Sequence, residues 1–170
     1  AVEQLQGLPL LASVLESEIL PARVGNYHAG MLDELCLSGE VLWRGIESVG
    51  PNDARIALFI ADRYRLLAPP VTAEVPPLGA DILEALERAG ALKFPELLAR
   101  VGGQAPDLVN ALWALAFTGY VSNDALAALR SQLKLNHPPT GGAGLPRRRG
   151  RRTQRFRSRR RDFVPGTEGR

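Results

Sequence analysis

Ten of the fifteen residues from Arg147 to Arg161, RRRGRRTQRFRSRRR, are arginine. Each guanidinium is permanently charged and presents its N–H donors as a planar fork that grips phosphate through paired bonds. A run this dense displaces many counterions from a polyanion. The chemistry it offers is salt-sensitive binding of a nucleic-acid backbone, with no base readout, because phosphate contacts carry no sequence information. The candidate contacts are Arg147, Arg148, Arg149, Arg151, Arg152, Arg155, Arg157, Arg159, Arg160 and Arg161, and Phe156 could add a stacking surface. Earlier in the chain, Arg44 and Arg55 flank an apolar hairpin pattern, and Trp43 beside them could stack on a base. Trp113 lies inside the apolar run ALWALAF and reads as core or module interface.

Other chemistries lack their residues. There is no G-x-x-x-x-G-K-[ST], and PPTGGAGLP is glycine-rich without a lysine or a strand–helix setting. G-x-S-x-G and H-E-x-x-H are absent. The two histidines, His28 and His137, fall in different segments. The single cysteine, Cys36, excludes a disulfide framework and a cysteine zinc site, and reads as a small buried residue of a protein kept in a reducing, cytoplasmic setting. Glu16 and Glu18, Asp33 and Glu34, and Glu84 and Glu87 read as solvated helix surface. No apolar run approaches the ~18 residues of a membrane span.

Charge divides the chain. Residues 1–137 carry 10 Lys/Arg and 16 Asp/Glu, net −6, whereas residues 138–170 carry 11 Arg and 2 Asp/Glu, net +9. An acidic body should repel a polyanion, so the basic end is the expected point of contact.

The elements that must carry these residues repeat. Apolar spacing predicts a helix over Leu8–Leu20 ended by Pro21, and a second over His28–Leu37 with Gly39 as its stop. EVLWRGI and ARIALFIA around SVGPND predict a hairpin. LLAPPVTAEVPPL is a stiff proline-rich connection. Beyond it come the helix DILEALERAG, a short strand ALKF, the helices PELLARVGG and APDLVNALWALAFTG, a strand YVS, and a last helix DALAALRSQL capped by Asp124. Leu32, Leu35, Leu37, Ser38, Gly39 and Val41 match Leu112, Leu115, Phe117, Thr118, Gly119 and Val121, a constant offset that points to two related modules. The expected fold is mostly α with small β-hairpins (α+β). Residues 1–65 form a first winged-helix-like module, 66–78 a linker, 79–135 a second winged-helix module, and 136–170 a disordered Arg-rich tail. The helix before each wing strand lacks basic side chains and reads as a packing element rather than a groove reader.

SEILPARVGNYHAGMLDELCLSGEVLWRG, ARIALFIADRYRLLAPP and LVNALWALAFTGYVSNDALAALR together resemble the large helicase-related (Lhr) family of superfamily-2 ATP-dependent DNA helicases. The family patterns are E-x-x-V-L-P-A-R-V, L-L-D-E-L-x-x-x-G-E-V-x-W, V-x-L-Y-x-A-D and A-L-W-x-L-V-W-x-G-x-V-T-N-D-T-x-x-x-L-R. The resemblance spans Leu8 to Leu133 and departs at Ala125, where the family has Thr.

It implies the C-terminal part of an accessory region that follows RecA-like motor domains of the same polypeptide. ATP and Mg would bind in that motor, and no cofactor is expected in this chain. The implied partner is single-stranded DNA or a DNA–RNA hybrid, with no membrane. Both ends of the chain read as truncated, since it opens on Ala-Val and closes near a Gly-Arg-Trp segment of the family. The alternatives are a stand-alone winged-helix regulator, which needs a basic reading helix; a protein-interaction scaffold; and an enzyme of the DNA-glycosylase type, which needs a positioned carboxylate or glutamine in a pocket.

Overall fold

The computed structural model describes residues 1–134 and the backbone of residues 155–158. The first module begins with α1 (Val2–Leu5), β1 (Leu10–Leu11) and α2 (Ala12–Val14), which widens into a π-helical turn, Leu15–Ile19. α3 (Ala29–Leu37) follows, then the hairpin strands β2 (Val41–Ser48) and β3 (Ala54–Ile60). Gly39 turns the chain from α3 into β2 with φ +81°, a left-handed conformation that glycine adopts without a Cβ clash. β3 pairs antiparallel with β2 on one side and β1 on the other, so the sheet order is β1-β3-β2.

A 3₁₀ turn (Ala61–Arg63) and α4 (Tyr64–Leu67) lead out of this sheet. The second module is α5 (Pro77–Ala89), β4 (Ala91–Lys93), α6 (Phe94–Val101), α7 (Ala105–Phe117), β5 (Val121–Asn123), α8 (Ala127–Gln132) and β6 (Arg155–Ser158). Pro77 sits at the first position of α5, where a missing N–H costs nothing. Gly119, φ +83°, repeats the turn of Gly39 between α7 and β5. The sheet order here is β4-β6-β5, again first, third, second. The repeat seen in the residues at offset 80 is thus a repeat of topology.

One apolar core serves both modules. Leu15, Trp43, Ile56 and Leu58 of the first and Ile82, Leu86, Leu97, Leu108 and Leu112 of the second are all under 2% exposed. Burying a side chain of this kind stabilises by about 1.5–3 kcal/mol.

Four expectations change. Leu10 and Leu11 are not helical: they add a short strand to β3, opposite Ile56 and Arg55, because tertiary pairing outweighs their helical spacing. α8 starts at Ala127, after Asp124, and at its start Leu126 N–H donates to Asp33 Oδ1 at 3.1 Å. The proline-rich segment is strapped down rather than spanning free, since Val71, Ala73 and Val75 pack on the core and Tyr120 Oη donates to Ala73 O at 2.5 Å. Finally, the segment expected to be disordered over 136–170 contributes β6, the middle strand of the second sheet. Backbone pairing on both edges supplies ordering that composition alone does not. The rest of that expectation lies outside the described residues.

Candidate nucleic-acid interface

The residues singled out around the first hairpin meet the second module instead of solvent. Trp43 is 0% exposed, and its indole Nε1–H donates to Asn123 O at 3.0 Å. Ser122 Oγ–H donates back to Trp43 O at 2.8 Å, so β2 and β5 are tied side chain to backbone in both directions. Two residues beyond Trp43, Gly45 packs under the end of α7. A Cβ there would overlap the Ala116 carbonyl and lie 2.8 Å from Phe117 Cα. Gly119 faces the same contact, where an added Cβ would stand 2.9 Å from Gly45 O.

Arg44 is 4% exposed and donates through Nη1 to Pro69 O. Its side chain lies beside Gly119, at the C-terminal end of α7, where backbone carbonyls favour a cation. The nucleic-acid role expected of Trp43 and Arg44 is therefore corrected. Neither presents a face to solvent, because β5 and the proline-rich strap cover the side of the hairpin that alternation alone leaves open. Arg55 is exposed as expected and pairs with Glu47 across the hairpin. Backbone is all that is described of Arg155 and Arg157, in β6; Arg147, Arg148, Arg149, Arg151, Arg152, Arg159, Arg160 and Arg161 lie outside the described residues.

A second tie was missed in the sequence. Arg130 of α8 reaches into the first module and grips Glu16 with two parallel bonds, Nε to Oε2 at 2.6 Å and Nη2 to Oε1 at 2.7 Å. Its Nη1 donates to Asp33 Oδ2 at 2.8 Å. Tyr27 Oη–H donates to Glu16 Oε1 at 2.6 Å. Reading Glu16 and Asp33 as solvated surface is also corrected: their side chains are 2% and 21% exposed.

Burial alone would loosen the Arg130 proton, but the bonds to Glu16 and Asp33 outweigh it and hold the proton more tightly than in free arginine. Burial, reinforced by the Glu16 carboxylate, pushes the Tyr27 phenol well above its usual range. The π-helical turn places Glu16 inward, and such turns recur where a helix must aim one side chain. Glu16, Asp33 and Arg130 stand at the Glu, Asp and final Arg of three of the four family patterns given above, which singles the residues out but not their contact.

α7, the helix that would read a groove in a DNA-binding winged helix, packs through one face and exposes Asp107, Val109 and Asn110 but no basic side chain on the other. Leu108, Leu112, Trp113, Leu115 and Ala116 are buried, and Trp113 stacks on Phe117 with centroids 5.6 Å apart. Cys36 is buried, as expected. Among the described residues there is no group of three His, Cys, Asp or Glu that could hold a metal ion, and no helix long and apolar enough to cross a membrane.

Two winged-helix units with one sheet order, joined through their second strands, define the class: a tandem winged-helix α+β region. Residues 1–61 match the winged-helix domain of large helicase-related protein. The chain is 39% identical over 153 residues to a Mycolicibacterium smegmatis (strain ATCC 700084 / mc(2)155) protein named Lhr helicase/probable uracil glycosylase, covering 88% of this chain and 10% of that one. It is 36% identical over 139 residues to the Lhr helicase/uracil glycosylase of Escherichia coli (strain K12), covering 76% of this chain and 9% of that one. The chain belongs to the large helicase-related family, and it spans about a tenth of the length of these relatives.

Proposed function

We propose that this chain engages nucleic acid and supports the motor within an Lhr-type ATP-dependent 3′-to-5′ DNA helicase, without supplying the ATPase. The sequence has no phosphate-cradling lysine motif, and the two relatives are named as helicases. The observation that carries the engagement is the position of the arginines. Arg147, Arg148, Arg149, Arg151 and Arg152 fall in sequence between α8 and β6, outside the described residues. The exposed face of α7 carries Asp107, Val109 and Asn110 and no basic side chain, which leaves the arginine-rich stretch as the segment with the charge to meet a single strand or a DNA–RNA hybrid. RecA-like motor domains of the same polypeptide are the proposed partner of the acidic body. Arg55 adds a secondary contact from the first hairpin.

The test is single-strand DNA binding by the intact chain and by a variant with those five arginines changed to glutamine, which leaves β6 in place. The variant should lose at least tenfold in affinity at 50 mM salt. Equal affinity would remove the assignment.

A second reading comes from the names of both relatives, which pair helicase with uracil glycosylase. On that reading the region serves base excision by holding a uracil-bearing strand. Tighter binding of a uracil-containing single strand than of its thymine counterpart would favour it; equal binding of the two would favour the first reading.

A further inference from the structure

β6 is the middle strand of the second sheet, and its register carries a charge conflict. Cα pairing sets Arg155 opposite Lys93 of β4, Phe156 opposite Leu92 and Asn123, and Arg157 opposite Ala91 and Ser122. Two basic residues therefore share one register of neighbouring strands, where like charges destabilise the pairing. Lys93 is misplaced a second time. It is the N-cap residue of α6, where the positive end of a helix disfavours a cation. Among the described residues no carboxylate forms an ion pair with the Lys93 ammonium. The neighbouring carboxylate, that of Glu96, is engaged by the backbone, its Oε2 accepting Lys93 N–H at 3.1 Å. Strand alternation keeps the position reachable. Leu92 is buried in the core, so Ala91 and Lys93 take the opposite face of β4. That face is closed at its β5 edge, where Ser122 is buried and bonded to Trp43 O. It is half open at its β4 edge, where Ala91 and Lys93 are partly exposed. A residue that works against the fold at two levels, and stays accessible, marks a place where a ligand supplies the missing charge.

We propose that the register of Lys93 and Arg155 is where the phosphate backbone of a single strand meets the second sheet, and that binding there is linked to the pairing of β6 with β4. This rests on the reading of the arginine-rich stretch as the nucleic-acid contact, and extends it to a residue of the acidic body. Pairing sets the Arg155 backbone beside Lys93. A phosphate shared by the two cations removes their repulsion and releases counterions. β4 and β6 hold no Asp or Glu to oppose it. The paired sheet therefore binds the strand better than the unpaired one, and by mass action the strand stabilises the pairing.

The test uses the whole chain and an oligothymidylate at saturating concentration, with binding followed separately by fluorescence anisotropy. Hydrogen exchange of the β4, β5 and β6 amides should slow by about threefold or more when the strand is bound, while β2 and β3 amides of the first sheet do not change. Lys93→Glu turns the repulsion into attraction. It should slow exchange of the same amides without any strand, and yet weaken strand binding by about threefold or more at 50 mM salt. Lys93→Gln should fall between in both measurements. A lysine with a structural role alone would leave strand binding unmoved. Strand binding with unchanged exchange in the second sheet would overturn the proposal and leave the arginine reading standing. So would unaltered binding by Lys93→Glu. Absence of strand binding by the native chain would overturn both. Slowing by polyglutamate equal to that by oligothymidylate would overturn the assignment of this register to nucleic acid.

Discussion

Arg130 and Glu16 stand 114 residues apart in sequence and are joined by two parallel hydrogen bonds of 2.6 and 2.7 Å. Their side chains are 12% and 2% exposed, so this ion pair is a buried joint between modules rather than surface decoration. Removing one partner of such a pair strands the other charge. Arg130→Gln should therefore lower unfolding stability by about 3–5 kcal/mol. Arg130→Lys should recover little of it, because an ammonium cannot reproduce the paired fork. Urea unfolding followed by tryptophan fluorescence measures both.

Tyr27 adds a pH signature. Its phenol is held protonated to higher pH than a free tyrosine, by burial first and by the Glu16 carboxylate second. A folded-state pKa raised above the unfolded value of about 10 stabilises fully below that pH and less as pH rises above it. Stability should therefore fall between about pH 10 and 11 in the native chain. Tyr27→Phe should start lower by about 1.5 kcal/mol, the loss of one hydrogen bond to a charged group, and fall less steeply over that window.

Gly45 and Gly119 set how closely the modules approach. An added methyl at Gly45 meets the α7 backbone, which has no flexible end to give way. At Gly119 it meets Arg44 and Gly45 O in a left-handed conformation. Either glycine changed to alanine should cost about 1–3 kcal/mol by overpacking. It should also open the Trp43–Asn123 bond, read as a red shift of tryptophan emission in the folded protein.

Trp43 separates the two accounts of the hairpin. Buried and bonded to Asn123 O, it should lower stability when changed to phenylalanine, by about 1–3 kcal/mol for the orphaned carbonyl. Single-strand affinity of the folded variant should not change. A large affinity loss without a stability loss would restore the stacking role.

Much of this was legible locally. Gly39 and Gly119, the hairpin from Val41 to Ile60, and the helices from Pro77 to Phe117 each follow from turn chemistry or apolar spacing within about a dozen residues. The joint was not, because Glu16 and Asp33 look like any helix carboxylates until a residue about a hundred positions away arrives. Strand alternation placed Trp43 on a face of its own, but only the fold supplies the β5 that covers it. β6 was hidden for a different reason. An arginine-rich stretch has too little apolar surface to order itself, and its order comes from two partner strands far back in the chain.

The central claim is that arginines between β5 and β6 engage the nucleic-acid backbone. Salt dependence tests it most directly, since each phosphate contact on a single strand contributes about 0.7 to the slope of log affinity against log salt. With Arg147, Arg148, Arg149, Arg151 and Arg152 changed to glutamine, the slope should become shallower by up to about 3.5, at unchanged stability. An unchanged slope would place the contacts elsewhere and contradict the account.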